Sequence, residues 1–116
     1  MTPDDRPYFH TTISAARSAP IAPGRRSAVL LEHGSMVVRF YAPRGFDPQE
    51  PHEQDELYVV WQGRGWFVNG EHRVRFGPGD VLFVKAGVTH RFEEFSDDLE
   101  LWVTFYGPKG GETAHA

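Results

Sequence analysis

Apolar residues occur along most of this chain in short runs that end at turn residues. The runs cover 28–32, 36–42, 57–61, 66–68, 71–74, 81–84, 90–95 and 99–106. Most are rich in β-branched and aromatic residues, which are typical of strands. The pair Asn69-Gly70 favours the positive φ of a two-residue hairpin turn. The pattern predicts about eight short strands joined by tight turns.

Such a series predicts an all-β fold, a jelly roll or small barrel in a single domain, because closure or double-sheet packing protects the strand edges. We expect residues 26–107 to form this barrel. Residues 1–25 hold four prolines and have room for only a short helical turn. They are interpreted as an N-terminal arm that lies over the barrel or reaches a second subunit, with simple disorder as the alternative. Residues 108–116 are glycine-rich and polar, which predicts a flexible C-terminal tail.

Charge and composition exclude several classes of partner. The net charge is −4 with both signs mixed along the chain, whereas nucleic-acid binders carry basic stripes. No apolar segment approaches the ~20 residues that span a bilayer, and the N-terminus lacks the apolar stretch of a secretory signal. We therefore expect a cytoplasmic protein with no nucleic-acid or membrane partner. The chain has no cysteine, so any metal must be held by nitrogen and oxygen.

The stretch 50–63 is where candidate chemistry concentrates. His52 and Glu56 stand where a polar loop passes into an apolar run, and strand alternation puts Glu56 and Tyr58 on one face. His90 follows a glycine turn and opens another run. If all three side chains look inward, two imidazoles and a carboxylate suit a non-haem iron(II) centre, and zinc and manganese accept the same set. The alternative is a solvated or capping histidine beside an acidic loop.

Two spacings carry a resemblance to a known family. They are His52-x3-Glu56-x6-Gly63 and Gly79-x5-Lys85-x-Gly87-x2-His90-x3-Glu94. They resemble the two cupin motifs, Gly-x5-His-x-His-x3,4-Glu-x6-Gly and Gly-x5-Pro-x-Gly-x2-His-x3-Asn. The resemblance spans about residues 28–106 and implies a cupin-type jelly-roll β-barrel. Glu50, Lys85 and Glu94 replace the first histidine, the proline and the asparagine of these motifs.

Carried over residue by residue, the resemblance implies that His52, Glu56 and His90 are metal ligands. Glu50 stands where a further imidazole usually sits, and it either completes the ligand set or points to solvent. Gln54 is close enough to be an amide ligand or a hydrogen-bond donor to one. The resemblance implies a divalent ion, which would be iron, manganese, zinc or nickel, with its identity open.

Side chains from neighbouring strands are expected to line the barrel around this centre. They are Tyr58, Phe83, Phe92, Trp102 and Tyr106, with Arg39 or Tyr41 among the polar groups. Aromatic walls with few polar groups describe a pocket for a small organic molecule. An inward arginine would indicate a carboxylate or enolate ligand, because its planar fork pairs with that group. The alternative puts Arg39 outside and leaves the aromatics as ordinary core.

Three functions follow from the resemblance. The first is a metalloenzyme, either a dioxygenase-like oxidoreductase or an isomerase or lyase, in which Tyr58 or Glu94 transfers a proton. The second is a non-catalytic module that binds a sugar or small effector, and the third is a metal-free acid–base isomerase. Two or more exchangeable metal positions facing an aromatic pocket favour the first, four protein ligands with no open position favour the second, and absence of metal favours the third. Small cupins pair through an edge strand or an N-terminal arm, so the resemblance also implies a homodimer.

Overall fold

The computed structural model describes residues 7–113, and within them the fold is nearly all β, as predicted. The short helix α1 spans Ile13–Ser18. The eight strands are β1 (Ser27–His33), β2 (Met36–Tyr41), β3 (Asp55–Gln62), β4 (Gly65–Asn69), β5 (His72–Phe76), β6 (Val81–Val84), β7 (His90–Glu93) and β8 (Glu100–Tyr106). Residues 1–6 of the expected arm and 114–116 of the expected tail lie outside the described residues.

The strands form two antiparallel sheets of a jelly roll. One sheet has the order β1-β2-β8-β3-β6 and the other β5-β4-β7. The rings of Tyr58, Phe67 and Phe92 join them, with centroid separations of 5.7 Å for Tyr58–Phe67 and 5.0 Å for Tyr58–Phe92. This aromatic cluster fills one part of the space between the sheets and leaves the remainder for a cavity.

Strand register decides which residues share that cavity. In the five-stranded sheet, Arg39 pairs with Val103, which in turn pairs with Tyr58. The next inward row is Val37, Phe105 and Glu56. Adjacent strands lie about 4.8 Å apart, so Arg39 stands roughly 10 Å across the sheet from Tyr58.

The described part of the N-terminal arm lies on its own barrel. Helix α1 begins where the Thr12 side chain accepts a hydrogen bond from the Ala15 N–H. The Arg17 guanidinium then binds the Glu100 carboxylate of β8, with Nε–Oε2 at 2.9 Å and Nη2–Oε1 at 2.8 Å. This bidentate pair holds α1 over the outer face of the larger sheet.

Part of the C-terminal segment is bonded to the barrel, which differs from the loose tail expected for 108–116. Asp55 begins β3 and is only 3% exposed. Its two carboxylate oxygens accept the Ala86 and Glu112 N–H groups, each at 2.9 Å. The Gly110 N–H also donates to the Glu53 carbonyl at 2.7 Å. These bonds secure the entry to β3.

A membrane-crossing helix is absent from residues 7–113, since none there is long and apolar enough.

The turn after β3 depends on a glycine. Gly63 has φ of +103°, and a Cβ built there would lie 2.6 Å from the Leu99 Cα. Leu99 is fully buried, so its backbone cannot retreat without disturbing the core. Gly79 also has positive φ, +86°, but has open space around it.

We predict that Gly63→Ala destabilises the protein far more than Gly79→Ala. Both changes force an alanine to positive φ, which costs about 1–2 kcal/mol. Only Gly63→Ala adds a clash with a buried backbone, for a total of about 3 kcal/mol or more. Urea unfolding of the two variants measures the difference, and equal losses would show that the contact with Leu99 is unimportant.

Candidate metal centre

Three side chains that can bind a metal meet between the two sheets. Strand β3 buries alternate residues, so Glu56 points inward and is 1% exposed. His90 begins β7 on the opposing sheet and is also 1% exposed. His52 lies in the loop before β3, with its side chain 34% exposed. The three ligand atoms lie within 4.8 Å of one another.

The Glu56 carboxylate lies between the two imidazoles. Its Oε1 is 3.1 Å from His90 Nε2 and 3.8 Å from His52 Nε2. The imidazole rings of His52 and His90 are 5.2 Å apart between centroids. Two nitrogens and one oxygen therefore converge on one small volume.

The hydrogen bonding of His90 shows which kind of group would fit between the three side chains. Its Nδ1 lies 2.9 Å from the Val88 carbonyl oxygen, which can only accept, so Nδ1 carries the hydrogen. In the neutral ring, Nε2 then presents a lone pair to Glu56. Among residues 7–113, Glu56 Oε1 is buried and has no hydrogen-bond donor while His90 is neutral, an arrangement that is costly without compensation. A cation between these atoms would satisfy all of them, so the donor set suits a divalent metal.

Protons compete with a metal for the same position. Burial lowers the pKa of His90, but the Glu56 carboxylate and the Val88 carbonyl outweigh it and raise that pKa above its ordinary value. Burial lowers the pKa of His52, although Glu56 opposes the change. The neutral form of His52 is therefore favoured, which is the form that binds metals.

Gln49 was missed by sequence reasoning and lies beside the histidines. Its Oε1 is 3.1 Å from His90 Nε2 and 3.4 Å from His52 Nε2. Glu50, the residue that the motif aligns with the missing histidine, is exposed and only lines the cavity. The loop before β3 has no regular period, so spacing could not decide which neighbour turns inward. The only sequence signal for Gln49 was that its amide stands next to Glu50, the position aligned with the missing histidine.

A cavity of about 580 Å³ adjoins the centre and is lined by His52, Glu56 and Tyr58. Its walls include several charged side chains, with Arg25, Arg26, Arg39 and Lys109 as the cations and Glu32, Glu50 and Glu53 as the other acids. The interior is therefore more polar than the aromatic pocket that the sequence suggested.

The expected pocket residues divide into two groups. Arg39, Tyr41, Gln54 and Tyr58 line the cavity. The Gln54 amide donates to the carbonyls of Ser35 and Gly107, both at 2.9 Å, and so joins two loops.

The other expected aromatics do not line the cavity. Phe92 packs behind Tyr58 in the core. Trp102 and Tyr106 alternate with the cavity residues of β8, and Trp102 packs against Phe40. Phe83 is 47% exposed, since its inward neighbour Val84 pairs with Glu56. Strand parity corrects the expectation for Phe83, Trp102 and Tyr106, whereas Phe92 faces inward but is enclosed in the core.

The two candidate proton-transfer residues, Tyr58 and Glu94, lie in different places relative to the cavity. Burial raises the pKa of Tyr58 well above its ordinary value, so the hydroxyl keeps its proton and donates to Gln49 Oε1 at 2.8 Å. Glu94 has φ of +48°, which breaks the alternation of β7. Its side chain is 73% exposed and pairs with Arg73 at 3.0 Å. Glu94 therefore lies away from the cavity, in contrast to the sequence expectation.

Comparison with known proteins agrees with this fold. Residues 37–105 match the family model of the cupin domain. An uncharacterized protein of Streptomyces coelicolor is 41% identical over 63 residues, which are 54% of this chain and 60% of that protein. The HTH-type transcriptional activator RhaR of Yersinia pseudotuberculosis is 29% identical over 79 residues, 68% of this chain and 27% of the activator. This chain thus spans less than two thirds of either relative.

A solved structure from Bacillus halodurans superimposes with a TM-score of 0.73 over 90% of this chain and 84% of that one. The sequence identity is 16%, so this likeness concerns the fold alone.

Proposed function

The chain belongs to the cupin family, and on that premise we propose that it is a metal-dependent enzyme acting on a small organic acid or enol. The observation that carries the proposal is the position of the centre. His52 and Glu56 line a cavity of about 580 Å³ that also holds Arg39, and their ligand atoms converge there with that of the buried His90. Dioxygenase-like and isomerase or lyase chemistry both suit this arrangement.

The three residues would hold iron, manganese, zinc or nickel. Once bound, such an ion would supply Lewis-acid or oxygen-binding chemistry at the positions that the protein leaves open. The chain itself contributes the shape of the cavity and the orientation of the ligands. It also contributes a proton held at the Tyr58 Oη beside the centre.

The surroundings of Arg39 support the proposal of an anionic substrate. Its Nη1 has weak contacts with Ser27, at 3.2 Å to the hydroxyl and 3.4 Å to the carbonyl. Burial and then the neighbouring Arg25 lower the pKa of Arg39, while Glu32 opposes them. A cation in this setting gains from an added anion. A carboxylate at Arg39 would direct the rest of a small substrate along the roughly 10 Å toward Tyr58 and the centre.

A second function is favoured by one comparison. The match to a transcriptional activator covers 68% of this chain, which supports a sensing module that binds a small effector in the same cavity without converting it. Binding with no turnover would distinguish this module from the enzyme.

We predict that Arg39→Ala weakens binding of small carboxylates by about 10-fold or more, because a charge-assisted pair is lost. Calorimetry of the metal-loaded protein with small carboxylates, diketones and enols measures this, and oxygen uptake or product analysis measures turnover. Arg75→Ala is the control, since Arg75 stacks on Trp66 away from the cavity. Failure of all these ligands to bind the wild type would contradict the proposed function.

We also propose a homodimer formed through the edge strand β6. Val81 and Phe83 of this strand and Trp61 of the adjacent β3 are 61%, 47% and 46% exposed, an unusual amount of apolar surface on one sheet face. Sedimentation velocity should show a dimer for the wild type and a monomer for Phe83→Glu. A wild-type monomer at micromolar concentration would contradict the proposal.

A further inference from the structure

We propose that Gln49 supplies an amide-oxygen ligand to the metal and that Asp47 fixes the amide in the required orientation. The inference rests on the proposed metal site and adds a fourth protein ligand to it. It begins from the position of Gln49 Oε1, which is 3.1 Å from His90 Nε2. This oxygen lies as close to that nitrogen as the Glu56 carboxylate does.

Asp47 determines which end of the amide faces the centre. Gln49 Nε2 donates to Asp47 Oδ2 at 2.8 Å. The same carboxylate oxygen accepts the Phe92 N–H at 2.8 Å, and the other accepts the Tyr41 hydroxyl. Asp47 Oδ2 is the acceptor in both of these bonds, and only the nitrogen end of the Gln49 amide can donate, so the amide nitrogen faces Asp47. The amide oxygen must then face the histidines.

The contact with Tyr58 agrees with the orientation that Asp47 fixes. The Tyr58 hydroxyl donates to Gln49 Oε1 at 2.8 Å. The hydrogen bond uses one of the two oxygen lone pairs, and the other is free for an ion. Asp47 is 7% exposed and lies in the irregular loop before β3, so its bonds also hold that loop in place.

The resulting ligand set has two imidazole nitrogens and two oxygens. Only Glu56 among them carries a negative charge, since the amide is neutral. Oxygen ligands favour harder ions, while imidazole favours zinc, nickel and copper. Gln49 would therefore shift the selectivity of the centre toward manganese(II) and iron(II).

The test measures binding of Mn(II) and Zn(II) to the full chain by calorimetry, with Co(II) absorption as a readout of coordination. Gln49→Leu removes the oxygen, and we expect Mn(II) affinity to fall by roughly 10- to 100-fold with an altered Co(II) spectrum. Gln49→His should raise the preference for Zn(II) over Mn(II) relative to the wild type. Circular dichroism and thermal unfolding verify that each variant folds.

Glu50→Gln is the matched control, because it changes the neighbouring exposed residue and should leave Mn(II) affinity within about 3-fold. Asp47→Asn tests the positioning role. It should weaken Mn(II) binding less than Gln49→Leu does and should also change the Co(II) spectrum. A variant that had only lost stability would not change that spectrum.

Two results would overturn the inference while leaving the proposed function intact. One is unchanged Mn(II) affinity and Co(II) spectrum in Gln49→Leu, and the other is a loss of affinity in Glu50→Gln equal to that in Gln49→Leu. A folded wild type that binds none of the three ions would overturn both proposals.

Discussion

A buried carboxylate between two imidazoles is the constraint on which the site depends. Glu56 Oε1 is enclosed, and among residues 7–113 it gains a donor at His90 Nε2, 3.1 Å away, only when that imidazole is protonated. Leaving such a group unsatisfied opposes folding, and stable proteins retain arrangements of this kind mainly at functional sites. A divalent cation would turn the mutual repulsion of these lone pairs into shared coordination.

The surrounding fold holds these atoms together from both sheets. Alternation along β3 turns Glu56 and Tyr58 inward, while the smaller sheet brings His90 from the opposite side. The Asp55 carboxylate secures the start of β3, and the contact of Gly63 with Leu99 secures its end. Because each end of β3 is fixed separately, Glu56 has little freedom to move away from His90. A rigid strand pair is a suitable base for a site that needs accurate geometry.

Much of this was predictable from the sequence because strands have a strict period of two. That period predicted the inward face of β3, and the motif spacing identified His52 and His90. It could not predict side chains whose backbone leaves the period. Glu94 turns outward at its positive φ, and the loop before β3 brings in Gln49 instead of Glu50. Aromatic character was also a poor guide, since Trp102 packs on the outer face with Phe40.

The most direct test of the central claim is elemental analysis by mass spectrometry of protein purified without a histidine tag. Wild-type protein is compared with a His52→Ala, His90→Ala double variant, before and after incubation with iron(II), manganese, zinc or nickel. The account predicts about one ion per chain in the wild type, as expected for a single centre, and its loss in the variant. Equal metal content in the two proteins, or no metal in the wild type even after incubation, would contradict it.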